Sequence, residues 1–146
     1  MKDLLIESAR TLTPPSGETI QIFENRVGQL ISLASRHLEE RGDMDSFIGP
    51  GNAEMAWDNN GNFARFMISM FKAYQADVFV ETILWVFQTY RSHGFKPRYW
   101  EVNLGIWLTV MASELPETAF QELRPFYTFI SDHVSQFTRL TDKDTV

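Results

Sequence analysis

Few side chains in this sequence are able to do chemistry, and they are scattered. The histidines His37, His93 and His133 lie far apart, and no two of them have a spacing that makes a metal site. They read as structural or surface residues. Oxygen ligands occur in Asp43-Met44-Asp45 and in Asp58-Asn59-Asn60-Gly61-Asn62. Neither stretch has the sixth-position glycine and twelfth-position glutamate of a calcium loop, so both read as turns held by their own Asx side chains. Gly49-Pro50-Gly51 is no phosphate cradle, because no Lys-Ser/Thr pair follows it and proline donates no backbone N–H. Neither Gly-x-Ser-x-Gly nor His-Glu-x-x-His is present. Glu81, Glu101, Glu114, Glu117 and Glu122 read as a solvated face rather than an acid/base pair. The expectation is a protein that is not an enzyme.

What remains is apolar. Phe63, Phe66, Met67, Met70 and Phe71 form a stripe at helical spacing. Such a stripe is either core or one wall of a pocket for an apolar guest, since Met and Phe adapt to such guests. The 12 phenylalanines and an aromatic content of 14% favour bulky packing. A length of 146 residues fits one domain with a real core, and 44% hydrophobic against 22% charged residues is globular. The net charge of -6, from 19 acidic and 13 basic residues, argues against a grip on nucleic acid and against adhesion to an anionic membrane. No apolar run reaches the roughly 20 residues of a membrane span. The first residues, MKDLLIESAR, carry charges within their apolar patch and do not read as a secretory signal. The absence of cysteine removes disulfides, thiolate metal sites and thiol catalysis. A cytoplasmic location fits.

The elements that would position these residues are helices. Leu4, Leu5, Ala9 and Leu12 suggest a short first helix, broken at Thr13-Pro14-Pro15, with Ser16 or Gly17 capping the next. Ile20, Phe23, Val27, Leu30, Ile31, Ala34 and Leu38 keep one face over about five turns, up to Gly42. Residues 42–62 are turn-rich, with a single helical turn over 53–57. An aromatic helix follows over 62–74. The centre of the chain is 77–115, where Asp77 caps a helix carrying Val80, Ile83, Leu84 and Phe87. Gly94 ends that helix in a left-handed conformation, and Pro97 starts another. The second of the pair is apolar over so much of its circumference that it must be central to the fold or face a second subunit. Pro116 opens the closing helix, in which Pro125 predicts a kink or interruption near Arg124. The tail from Thr141 to Val146 is polar and expected to fray. Strands, repeats and low-complexity tracts are not evident. The fold class expected is all-α.

The order of elements, together with Tyr90-Arg91-Ser92-His93-Gly94-Phe95-Lys96-Pro97-Arg98-Tyr99-Trp100, resembles the globin-like sensor domains of bacteria. Gas-sensing members carry a haem-ligating histidine four residues before the corner glycine. Tyr90 holds that position here. The chain is therefore more similar to the haem-free members, the N-terminal sensor domains of stressosome regulators and sensors related to those of sporulation kinases. The resemblance implies a globin-like bundle of about six helices that dimerises through its last two. It also implies an apolar pocket able to take a fatty-acid-like guest. Carried onto this sequence, the pocket is expected at Phe63, Phe66, Met67, Met70, Ile83, Leu84 and Phe87, with Tyr90 and His93 at its polar end. The homodimer interface is expected at Trp107, Met111, Phe126, Phe129 and Ile130. Signalling would then run through dimer packing to a partner protein, with no cofactor. Two alternatives stand beside this: a haem protein ligated by His93 or Tyr90, and a helical adaptor that binds a protein partner and no small ligand.

Overall fold

The computed structural model describes residues 1–142. Most of the tail expected to fray lies outside the described residues. Among them the chain is all-α, with eight helices and no strand. They are α1 (Lys2–Ala9), α2 (Gly17–Glu40), α3 (Asp45–Ile48), α4 (Ala53–Lys72), α5 (Ala76–Ser92), α6 (Pro97–Glu114), α7 (Glu117–Asp132) and α8 (Val134–Leu140).

The local signals at the helix ends act as their chemistry dictates. Ser16 is the N-cap of α2, its hydroxyl accepting from the Thr19 N–H at 3.2 Å. The Glu122 carboxylate of α7 completes this cap: it accepts from the Ser16 N–H at 2.7 Å and from the Thr19 hydroxyl at 2.5 Å. A carboxylate at a helix N-terminus meets unpaired N–H groups and the positive end of the helix dipole. The Thr19 hydroxyl, then the Ser16 N–H, hold the Glu122 pKa below the ordinary glutamate range. A group lowered on folding stabilises the fold above its unfolded pKa, roughly 4.3, and loses that contribution as the pH falls through the folded value. Glu122→Gln is therefore expected to destabilise at neutral pH and to match the parent once the carboxyl is protonated. Urea unfolding at about pH 7 and over a series of falling pH values reads this as a gap between the two proteins that narrows on acidification.

The corner between α5 and α6 is stitched to the loop that precedes α4. Gly49 and Gly94 both take positive φ, 87° and 100°. The Asn52 side-chain amide donates to the Ile48 carbonyl at 2.7 Å and to the His93 carbonyl at 2.8 Å. The Lys96 N–H adds a bond to the Phe47 carbonyl at 2.8 Å. Asn52→Ala removes a part-buried and an exposed hydrogen bond and is expected to cost about 1 kcal/mol, seen as a lower urea midpoint with an unchanged slope.

Helix α6 is the centre of the molecule, packed by α2, α3, α7 and α8. That resolves the two options open to a helix apolar on most sides, and it corrects the expected interface. Trp107, Met111 and Phe126 are 0% exposed, and Phe129 and Ile130 are buried beside them. These five side chains fill the protomer's own core and present no surface to a second copy.

Three further expectations are corrected. Residues 58–62 form no turn, and α4 runs unbroken from Ala53 to Lys72. Asparagine favours turns because its side chain competes locally for the backbone. Here Asn59 and Asn60 are buried and their amides bond to other helices, which removes that competition. Helix α7 continues through Pro125, so the interruption allowed for near Arg124 is absent, and a break falls at His133. Finally, α5 begins at Ala76, so Asp77 lies in its first turn rather than capping it.

Candidate functional site

Helices α4 and α5 follow each other in sequence but are not close-packed. Helix α4 lies on α2, while α5 lies on α1 and α8. Rings fill the space between them. Phe66 stacks on Phe79 at 5.9 Å between centroids, and Phe79 also meets Tyr74, Phe126 and Phe129. Further along α5, Phe87 stacks on Trp100 of α6 at 4.6 Å.

Between these two stacks the filling is incomplete. A cavity there is lined by Phe63 and Phe66 of α4, Ile83, Val86 and Phe87 of α5, Trp100, Asn103 and Leu104 of α6, and Ile130 of α7. The space open to the centre of a water-sized sphere is ≈ 30 Å³, enough for about one water as it stands. Phe63, Phe66 and Val86 are half-buried and form its outer wall. Trp100, Asn103, Leu104 and Ile130 are buried and form its floor.

Of the expected pocket residues, the structure brings Phe63, Phe66, Ile83 and Phe87 to this cavity. Met67 and Met70 are buried in the core outside its wall, and Leu84 is half-buried away from it. The expected polar end is also elsewhere. Tyr90 is buried edge-on against Phe95 at 5.0 Å and Trp100 at 5.6 Å. His93 is exposed at the C-cap of α5. Ile130, assigned to the interface from sequence, is part of the cavity floor.

Behind the floor lies a polar network that sequence reasoning missed. The Asn60 side-chain oxygen accepts from the Trp107 indole N–H at 3.0 Å and from the Asn103 amide at 2.8 Å. The Asn60 amide donates to the Ser35 hydroxyl at 3.0 Å. Asn59 donates to the Tyr99 hydroxyl at 2.6 Å. All of these side chains are buried, and they tie α2, α4 and α6 together. Burial pushes the Tyr99 phenol pKa far up, so its hydroxyl stays protonated. A signal was present in the sequence: Asn103 sits between Val102 and Leu104 in a helix apolar over much of its circumference. An asparagine in such a place needs a partner or a ligand.

The network also fixes which way each amide points. An indole N–H only donates, so Asn60 must turn its oxygen to Trp107. Asn103, facing the same oxygen, must then present its NH₂ group. Its own Oδ1 is left buried with no partner, as is the Trp100 Nε1. Both residues line the cavity.

Among the described residues, no group of three or more His, Asp or Glu side chains could hold a metal ion, and no helix is long and apolar enough to cross a membrane. Comparison of the chain with protein-family models, with curated proteins and with solved structures finds no match.

Proposed function

We propose that this chain is a non-enzymatic, haem-free sensory domain of the globin-like kind, which takes a small apolar guest between α4 and α5 and signals by repacking α5. The observation that carries the reading is the apolar cavity at that boundary, with its half-exposed outer wall. As it stands the cavity is the closed form of the site. Enlarging it for a guest requires the Phe66 ring to leave its stack on Phe79, a loss that the contacts of the guest must offset. Helix α5 then connects guest and surface: Ile83, Val86 and Phe87 face the cavity, while Val78 and Trp85 are exposed. A guest that binds one placement of α5 better than another shifts the surface offered to a second copy or a signalling partner.

Haem fits this site less well. His93 stands in solvent at the end of α5, and burial raises the Tyr90 pKa, which disfavours the phenolate that would ligate ferric iron. The adaptor reading draws on Leu4 and Trp85, which are 71% and 65% exposed.

An environment-sensitive apolar dye tests these readings together with a hemin titration. Saturable dye binding that Ile83→Trp abolishes is expected, with no Soret band. Absence of saturable binding to the parent chain favours the adaptor. A sharp Soret band lost in Tyr90→Phe or His93→Ala overturns the haem-free reading.

A further inference from the structure

We infer that the guest of this cavity carries a neutral hydroxyl, held between the indole N–H of Trp100 and the side-chain oxygen of Asn103. The inference rests on the reading that the cavity admits a guest, and it adds the chemical class of that guest. Trp100 and Asn103 are the polar residues in the cavity wall, and they are 5% and 2% exposed. Each carries a buried polar atom without a partner, one a pure donor and the other a pure acceptor. An unmet group of either kind costs free energy in a buried site, and the two together specify the complement. The ligand atom that satisfies both must accept one hydrogen bond and donate another. A hydroxyl does so through a single oxygen: it accepts from Trp100 Nε1 and donates to Asn103 Oδ1.

A carboxylate does not meet this description. It has no proton to give to Asn103, so one of its oxygens would face another lone pair. None of the cavity-lining residues is a Lys, Arg or His that would compensate a buried negative charge. A quaternary ammonium or a protonated amine donates or repels but accepts nothing from Trp100. The class selected is an alcohol with an apolar body, or an un-ionised acid where the pH allows one. Asn103 cannot adapt by flipping its amide, because Asn60 and Trp107 hold it.

The experiment is a titration of the isotope-labelled chain with 1-octanol, octanoate and octyl methyl ether at neutral pH. It is followed by nuclear magnetic resonance at the Trp100 indole N–H and at the methyl groups of Ile83, Leu104 and Ile130. Octanol is expected to shift both sets saturably. The ether, which lacks the donated proton, is expected to bind about tenfold more weakly, the value of one hydrogen bond, and octanoate, which would also bury an unpaired charge, more weakly still. Asn103→Leu should bring octanol and ether to equal affinity. Trp100→Phe, read at the methyl groups, should weaken both, and it stands as the second variant if Asn103→Leu does not fold. Octanoate binding as tightly as octanol overturns the hydroxyl assignment and leaves the apolar cavity standing. So does a preference for octanol over the ether that survives Asn103→Leu. If no probe shifts the cavity methyl groups, both the assignment and the cavity reading fall.

Discussion

Replacing Asn60 by Ala is expected to lower the stability of the chain by about 3–5 kcal/mol, the largest effect of any polar substitution in the molecule. The side chain is fully buried and serves three partners on two helices: Ser35 of α2, and Asn103 and Trp107 of α6. Truncation removes all three bonds at once. It strands an indole N–H and an amide in a place that water reaches poorly, and an unmet buried donor costs about 1–3 kcal/mol each. A small cavity adds to the loss. Urea unfolding should show the midpoint falling with no change in slope, because the surface exposed on unfolding is the same. Asn60→Asp should not rescue the fold: it keeps the acceptor oxygen but buries a charge, and it loses the donor to Ser35. A loss below about 1 kcal/mol would mean that the amide is not the hub that its geometry describes.

The second large effect is Trp107→Ala, expected to cost about 3–5 kcal/mol. Trp107 is fully buried, meets the Phe63 ring at 6.0 Å and stacks on Tyr127 at 6.2 Å. The form of the loss matters as much as its size. If this side chain sealed a dimer, the variant would be a folded monomer, and its parent's melting temperature would rise with protein concentration. A core residue gives a protomer that is itself less stable, with the same shift at every concentration. Calorimetry over a hundredfold range of concentration separates the two. Since Trp107 and Asn60 share a hydrogen bond, the double variant should cost less than the sum of the singles.

The parts of this fold that were legible in the sequence are those where local chemistry decides. Ser16 caps because its hydroxyl reaches its own helix. Gly94 turns because it has no Cβ, and Pro97 starts α6 because its missing N–H is not needed there. The periodic faces of α2 and α5 were legible for a similar reason, since burial at helical spacing is a property of one segment. What was not legible required knowing what lies opposite. Asn59 and Asn60 read as turn formers until Tyr99, Ser35 and Trp107 are placed beside them. Trp107, Met111 and Phe126 are as apolar in a core as in an interface, and only the position of α2, α4 and α5 around them decides. Part of the cavity was visible, Phe63 and Phe66 in the ring stripe of α4 and Ile83 and Phe87 through the resemblance. Its floor was not, because Trp100, Asn103, Leu104 and Ile130 come from two further helices.

The ring layer under α5 has a mechanical consequence. The two stacks that seat this helix, Phe66 on Phe79 and Phe87 on Trp100, have planes only 9° and 11° from parallel. Nearly parallel rings resist separation but offer little resistance to sliding, since dispersion falls slowly with lateral offset and the offset arrangement is itself favoured. The helices that embrace α5 from the other side, α1 and α8, are 8 and 7 residues long and bring little rigidity of their own. Along those two ring pairs a small lateral shift of α5 costs least, whereas the edge-on contacts of Phe79 with Tyr74 and Phe126 pin the first turns of the helix, so any movement is a pivot about Phe79 rather than a slide of the whole helix.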